Sequence, residues 1–189
     1  DGIDDKTVNF SDGEKKEFDA VLIAVGRAPL TENIGLDNVN IASENGFINV
    51  DLDTFETSVA NIFALGDIVN NTPQLAHAAF AEAISAITYI ASGEKKPLDY
   101  KAIPYVVYTR PELAEIGLNA EKAKLENIEI EQSQHSFAGV GRAMITEQNQ
   151  GLVKVYAEKE GPIVGASVCG PSAGEMIHEI MYMVGWEAL

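Results

Sequence analysis

Apolar residues in the first half of the chain form two short runs and one helical stripe. Residues 19–25 are almost continuously apolar, which is typical of a strand buried on both faces of a parallel sheet. Residues 62–65 form a second apolar run and predict another strand. Residues 76–91 predict a helix, because apolar side chains recur there at helical spacing on a broad face that we expect to pack against a sheet: Ala76, Ala79, Phe80, Ala83, Ile84, Ile87 and Ile90.

Two turn signals predict hairpins in the same half. Residues 11–14 read Ser-Asp-Gly-Glu, and Asn45-Gly46 is a dipeptide typical of tight turns. The strands that these turns join are predicted at residues 6–10, 16–18, 39–41 and 47–50.

The pattern changes near residues 94–97, where we expect a domain boundary. Strands are predicted beyond it at residues 103–108, 128–137, 152–158 and 163–169, and helices at residues 120–125 and from about residue 173. The last helix repeats Met176, Ile177, Ile180, Met181 and Val184 at helical spacing. The order of helices and strands predicts an α+β module with an antiparallel sheet.

Composition excludes some classes of function. The formal net charge of -16 argues against a nucleic-acid or anionic membrane surface, which requires clustered Lys and Arg. No run reaches the roughly eighteen apolar residues of a membrane span. Cys169 is the one cysteine in 189 residues, so no intrachain disulfide can form, which fits a reducing compartment. The chain opens without Met and ends in an apolar-rich segment, and we expect a fragment of a longer protein.

Gly66 and Asp67 are the strongest candidates for a binding site. They follow the apolar run at residues 62–65, and a helix is predicted to open beyond Pro73. A glycine lets the backbone approach a ligand closely, and a carboxylate where a strand ends can bind a ligand hydroxyl. The start of a helix also offers free N–H groups and partial positive charge. The alternative, that Asp67 only ends a strand or caps a turn, stays open for an isolated Gly-Asp pair.

Several segments together resemble the pyridine nucleotide–disulfide oxidoreductases, and among them most closely the dihydrolipoamide dehydrogenases. They are Val21-Leu22-Ile23-Ala24-Val25-Gly26-Arg27-Ala28-Pro29, the stretch Asn61-Ile62-Phe63-Ala64-Leu65-Gly66-Asp67, Leu75-Ala76-His77, Tyr108-Thr109-Arg110-Pro111-Glu112 and Gly170-Pro171-Ser172-Ala173-Gly174-Glu175. The resemblance implies an α/β plus α+β fold, in which partial FAD- and NAD(P)-binding Rossmann-type segments precede an α+β dimerisation domain with an antiparallel sheet. Its expected parts are the end of the NAD-binding domain (1–26), the returning part of the FAD-binding domain (27–98) and an incomplete interface domain (99–189).

The same resemblance implies the cofactors FAD and NAD. Asp67 would hydrogen-bond the ribitol of FAD beside Gly66 and Gln74, and Leu75, Ala76 and His77 would offer backbone groups near the flavin. Gly26 would approach the nicotinamide cofactor, or it is only a turn glycine. No catalytic residue is expected in this chain, because the family's redox cysteine pair and its His-Pro-Thr base have no counterpart in it, and no metal site is expected.

The activity that the resemblance implies is the NAD-linked reoxidation of protein-bound dihydrolipoamide. The expected partners are a second copy of the chain and the lipoyl domains of 2-oxoacid dehydrogenase or glycine cleavage complexes. The expected location is the cytoplasm, or the mitochondrial matrix in a eukaryote. Two alternatives remain: another flavoprotein disulfide reductase, such as a mercuric reductase, and a fragment that acts only as an association module.

Overall fold

A computed structural model describes residues 2–4 and 6–188, which divide into two units between Leu30 and Thr31. The first unit contains three antiparallel strands in sequential order, β1 (Gly2–Asp4), β2 (Thr7–Asn9) and β3 (Lys15–Glu17). The predicted turn at residues 11–14 is confirmed, because it joins β2 to β3 and the Phe10 N–H donates to the Glu14 carbonyl at 2.9 Å.

Residues 19–25 do not form the predicted buried strand. They have no regular secondary structure, and the side chains of Leu22 and Val25 are 90% and 92% exposed. A strand forms only where its backbone N–H and C=O groups are hydrogen-bonded to at least one neighbouring strand. Among the described residues, none pairs with this segment, so its apolar composition alone does not make it a strand.

The second unit opens with the short helix α1 (Leu36–Val39), followed by the strands β4 (Ser43–Glu44) and β5 (Phe47–Ile48). The turn at Asn45-Gly46 is confirmed, but the predicted strand at residues 39–41 is wrong, since Val39 belongs to α1. Asn40 ends α1 in the left-handed conformation, with φ 53°, which an Asn tolerates better than most residues.

Residues 62–65 also fail to form the predicted strand. Phe63 makes a single bridge to Glu56, and the Ala64 N–H donates to the Phe55 carbonyl at 3.0 Å. The segment therefore pairs with its own preceding loop, because the part of the chain that the structure describes offers it no adjacent parallel strand. Ala64 nevertheless lies in a small apolar cluster with Ile48 and Val69.

The predicted helix is confirmed as α2 (Ala76–Ser92), which ends at Gly93 in the left-handed conformation, φ 74°. The prediction of its packing face is wrong. Small and polar residues are buried instead, namely Ala78, Glu82, Ser85 and Ala86. The side chains of Phe80, Ile84, Ile87 and Ile90 are 53–74% exposed, because no sheet among the described residues covers them.

The C-terminal part is an α+β module, as predicted. Its strands are β6 (Tyr105–Val107), β7 (Glu112–Gly117), β8 (Ile130–Ser136), β9 (Leu152–Glu158) and β10 (Ile163–Gly170), and its helices are α3 (Ala120–Glu126), α4 (Gly141–Ile145) and α5 (Ala173–Gly185). The five strands form one sheet in the order β6-β7-β10-β9-β8, and every neighbouring pair is antiparallel. The sequence interpretation missed β7 and α4.

The core of this module lies between α5 and one face of the sheet. Ile177 of α5 is fully buried and belongs to the same cluster as Ile116 of β7 and Val168 of β10. The helical spacing of the apolar residues in α5 therefore predicted its packing face correctly. Among residues 2–4 and 6–188, no helix is both long and apolar enough to cross a membrane.

Candidate functional site

A short 3₁₀ helix, Gly66–Ile68, forms the centre of the candidate site. Gly66 is buried with φ +77°, a conformation that favours glycine. A Cβ atom at this position would lie 3.3 Å from the Cβ of Ala79 in α2. The missing side chain therefore allows both the turn and its close packing against the first half of α2.

Asp67 and Gln74, two predicted site residues, lie together. Asp67 follows Gly66 in the 3₁₀ helix and is half-buried. The Nε2 of Gln74 donates to the backbone carbonyl of Asp67 at 3.2 Å. This bond joins the turn to the segment that leads into α2, so the backbone of Asp67 is held close to the start of that helix.

Leu75, Ala76 and His77 form the N-terminus of α2. Leu75 is the N-cap residue, and its apolar side chain makes no capping hydrogen bond. The first N–H groups of a helix have no partner within the helix, and they carry the positive end of its dipole. The N–H groups of Ala76 and His77, which have no acceptor within the helix, therefore lie at the end of α2 that follows the Gly66–Ile68 turn.

The His77 side chain has a separate, structural contact. Its Nε2 lies 2.8 Å from the Pro104 carbonyl oxygen, and since that oxygen can only accept, Nε2 is the donor. His77 thereby joins the start of α2 to the residue before β6. Its predicted role was a backbone contact with a flavin, with which this side-chain bond is compatible.

The sequence interpretation missed Glu82, which is fully buried. Its Oε2 accepts a hydrogen bond from the Gly66 N–H at 2.6 Å, and its Oε1 accepts one from the Tyr100 hydroxyl at 3.0 Å. Burial, and then the hydrogen bond and charge of Glu82, raise the pKa of the Tyr100 phenol above its ordinary value. The signal in the sequence was a single acidic residue in the middle of a largely apolar helix.

Gly26 belongs to the first unit, up to Leu30. It has φ +129°, and a Cβ atom there would meet nothing within 4 Å. Its backbone conformation therefore favours glycine, although there is enough space around it for a side chain. Gly26 is thus an open turn, and the other predicted site residues lie in the second unit.

An ion-pair group lies just beyond the opposite end of α2. Lys95 Nζ lies 3.5 Å from carboxylate oxygens of both Asp51 and Asp53. The hydrogen bond from the Asp53 N–H, and then the charge of Lys95, lower the pKa of Asp51, while Asp51 in turn raises the pKa of Lys95. These side chains are about half exposed, so we assign them a structural role.

The remaining candidates do not converge on a second site. His178 Nδ1 lies 2.6 Å from the Gly174 carbonyl within α5, and Cys169 is a free thiol in β10. Within the described ranges, no group of three His, Cys, Asp or Glu side chains could hold a metal ion.

Two family models match the chain. Residues 1–83 match pyridine nucleotide-disulphide oxidoreductase, and residues 103–189 match its dimerisation domain. The dihydrolipoyl dehydrogenase of Geobacillus stearothermophilus is 43% identical over 182 residues, which are 94% of this chain and 38% of that protein. The Haloferax volcanii enzyme is 38% identical with the same coverage, and the mitochondrial enzyme of Canis lupus familiaris is 38% identical over 95% of this chain and 36% of its own length. The chain thus spans less than two fifths of these relatives.

Solved structures agree with these relatives. LpdA from Mycobacterium tuberculosis superimposes with a TM-score of 0.85 at 27% identity, over 96% of this chain and 39% of its own. The Cu(II) complex of RclA, an HOCl-induced flavoprotein disulfide reductase from Escherichia coli, has a TM-score of 0.85 at 25% identity, over 98% of this chain and 43% of its own. The family models, the relatives and the fold agree, and the chain belongs to the pyridine nucleotide-disulphide oxidoreductase family.

Proposed function

We propose that the full-length protein is an FAD-dependent dihydrolipoyl dehydrogenase that oxidises protein-bound dihydrolipoyl groups with NAD. The observation that carries this proposal is the packing of the Gly66–Ile68 turn against α2, in a chain whose curated relatives are dihydrolipoyl dehydrogenases. FAD, when bound, accepts two electrons and passes them to the pyridine nucleotide.

The residues around the turn fit a flavin nucleotide. Asp67 offers a carboxylate to ribitol hydroxyls, and Gly66 keeps the adjacent backbone free of a side chain. Gln74 holds the backbone of Asp67, so that it orients the carboxylate. The Leu75 N–H already donates to the Pro73 carbonyl at 2.8 Å, so Leu75 would offer its remaining backbone to the flavin. The N–H groups of Ala76 and His77 would stabilise negative charge on a reduced ring, an effect of about 0.3–1 kcal/mol for an exposed helix end and up to about 2 when partly buried.

Gly26 is proposed to approach NAD through its backbone. Its open turn, with no heavy atom within 4 Å of a Cβ position, leaves room for such an approach. We retain the proposed division into an NAD-binding part (1–26), an FAD-binding part (27–98) and an interface domain (99–189).

A homodimer through residues 99–189 is part of the proposal. The match of residues 103–189 to a dimerisation domain supports it. The sheet face opposite α5 adds support, since Tyr105, Val107 and Leu113 are 53%, 36% and 47% exposed and line a concavity of about 380 Å³. Lipoyl domains of 2-oxoacid dehydrogenase or glycine cleavage complexes are the proposed substrates. A cytoplasmic location is proposed, or the mitochondrial matrix in a eukaryote, as in the name of the canine relative.

A second candidate is another flavoprotein disulfide reductase. The likeness to RclA over 98% of this chain favours it, and it would use the same flavin site with a different disulfide or oxidant. The two candidates differ in the electron acceptor and not in the residues described above.

The test of the flavin site is Asp67→Ala in the full-length protein, with Asp12→Ala as the matched control. Asp12 is also an acidic turn residue, and its Oδ1 accepts from the Glu14 N–H in the first unit. We expect Asp67→Ala to lose FAD during dialysis and Asp12→Ala to retain it, because both lose one carboxylate but only Asp67 belongs to the proposed flavin site. Equal flavin occupancy in the two variants would contradict the assignment.

A further inference from the structure

Glu82 is a charged side chain in an unusual position. It lies in the middle of α2, and its exposure is 0%. Burial of a carboxylate is unfavourable unless its oxygens are hydrogen-bonded. Both oxygens of Glu82 are bonded, one to a backbone N–H and one to a hydroxyl, so the cost of burial is offset by two specific contacts.

The two contacts lie on separate segments. Gly66 begins the turn that carries Asp67, and Tyr100 begins the 3₁₀ helix Tyr100–Ala102, which precedes β6. Thirty-four positions separate them along the sequence, yet one carboxyl group joins them. The 2.6 Å bond to the Gly66 N–H is short, as is typical when the acceptor is charged.

We propose that Glu82 is a positioning residue for the flavin site, where its carboxyl group holds the Gly66–Ile68 turn in its binding conformation and joins it to Tyr100 at the entry to the C-terminal module. This inference rests on the proposed function, because it assigns the turn to FAD. It adds a consequence, namely that FAD affinity depends on Glu82 and Tyr100, neither of which is among the proposed flavin contacts.

The backbone of the turn explains why such an acceptor is needed. Gly66 is buried and has φ +77°, a conformation for which glycine has little intrinsic preference over its alternatives. Without Glu82 the buried Gly66 N–H has no acceptor in its place, and a buried, unsatisfied donor is unfavourable. The turn would then rotate to find a partner, and Asp67, the next residue, would move with it.

A neighbouring side chain provides the control. Ser85 lies three residues further along the buried face of α2, and its hydroxyl donates to the carbonyl of Lys96, in the segment between α2 and Tyr100. Ser85→Ala therefore removes a hydrogen bond between α2 and that segment without touching the turn. Comparison of Ser85→Ala with Glu82→Ala therefore distinguishes a general loss of stability from a loss of FAD affinity through the turn.

The experiment measures FAD dissociation constants, flavin absorption spectra and thermal unfolding for the full-length protein. We expect Glu82→Ala to raise the FAD dissociation constant about tenfold or more, since a bond to a charged group and its buried partner are both lost. Glu82→Gln should recover most of the affinity, because its amide oxygen can accept from Gly66 and its amide nitrogen can donate to the Tyr100 oxygen. Tyr100→Phe should raise the constant about threefold and alter the flavin spectrum, since it loosens Glu82 but keeps the Gly66 bond.

Ser85→Ala should lower the unfolding temperature and leave FAD affinity and the spectrum unchanged. Wild-type FAD affinity in both Glu82→Ala and Tyr100→Phe would overturn the inference, as would an equal loss of affinity in Ser85→Ala. If Glu82→Ala does not fold, Tyr100→Phe decides the question, and wild-type FAD affinity in that variant would then overturn the inference. Asp67→Ala distinguishes a failure of the proposed flavin site from a failure of the positioning role of Glu82. If Asp67→Ala loses FAD while the Glu82 variants keep it, the flavin site is supported and the positioning role is contradicted. If Asp67→Ala keeps FAD, both the flavin site and the positioning role are contradicted.

Discussion

The conformation of Gly66 predicts how strongly the turn resists substitution. In Gly66→Ala the new side chain is forced to φ +77°, which is unfavourable by about 1–2 kcal/mol for an L-residue. The more restricted unfolded chain of the variant offsets about 0.4–1 kcal/mol of this. The new Cβ also lies 3.3 Å from the Cβ of Ala79, so the turn or α2 must shift by a few tenths of an ångström. The two backbone effects together leave a loss of about 0–1.6 kcal/mol in the free energy of unfolding, and the displacement of the turn adds to it.

Gly93→Ala is the matched control. Gly93 ends α2 with φ +74°, nearly the same backbone conformation, but a Cβ atom there meets nothing within 4 Å. The conformational penalty is therefore shared by the two variants, and only Gly66→Ala adds a displacement of the turn next to Asp67. We expect Gly93→Ala to lose about 1 kcal/mol without a change in FAD affinity.

The assay is denaturant unfolding of the two variants in the full-length protein without added FAD, followed by FAD titration. Both should unfold at lower denaturant than the wild type, and only Gly66→Ala should bind FAD more weakly. Wild-type stability in Gly66→Ala would refute the argument from its backbone conformation. An equal loss of FAD affinity in both variants would refute the argument that the position next to Asp67 is special.

Three further predictions concern the second unit. Ile177→Ala removes a fully buried side chain between α5 and the sheet and should lower the free energy of unfolding by about 2–5 kcal/mol in denaturant titrations; a loss below 1 kcal/mol would contradict the packing. Asn119→Ala removes the side-chain acceptor for the N–H groups of Glu121 and Lys122 and should cost about 0.5–2 kcal/mol, whereas an unchanged midpoint would exclude the cap. Because the pKa of the Tyr100 phenol is raised, the folded state holds the phenol proton more tightly than the unfolded state does. The protonated phenol therefore contributes fully to the free energy of unfolding below pH 10.0, and this contribution decreases as the pH rises above 10.0. In Tyr100→Phe the free energy of unfolding should therefore fall less steeply between neutral and alkaline pH than in the wild type. An identical pH dependence in the two proteins would be inconsistent with the raised pKa of the phenol.

The sequence predicted best the elements whose partners are close along the chain. Strands β8, β9 and β10 and helix α5 pack on one another within the last sixty residues of the chain, so their apolar patterns were sufficient. Residues 19–25 and 62–65 have equally apolar compositions, but a parallel strand takes its hydrogen bonds from distant segments, and no described segment pairs with them as a parallel sheet. The same reason explains the exposed apolar face of α2.

The residues of the candidate site were named from the sequence in part, and their binding role stays a prediction. Gly66 and Asp67 came from their order along the sequence and Gln74 from the family resemblance, and the structure brings the three together. Glu82 was missed because its role depends on Gly66 and Tyr100, sixteen positions before it and eighteen after it. Strand β7 was missed although Ala114 and Ile116 alternate with Leu113 and Glu115, as is typical of a strand with one buried face.

The central claim is the reaction, and steady-state turnover of the full-length protein tests it most directly. NADH oxidation would be followed with lipoamide, mercuric ion and glutathione disulfide offered as separate acceptors, together with NAD reduction by dihydrolipoamide. We expect strong preference for lipoamide and its reduced form. Turnover with another acceptor and none with lipoamide would contradict the proposed dihydrolipoyl dehydrogenase activity and favour a different flavoprotein disulfide reductase.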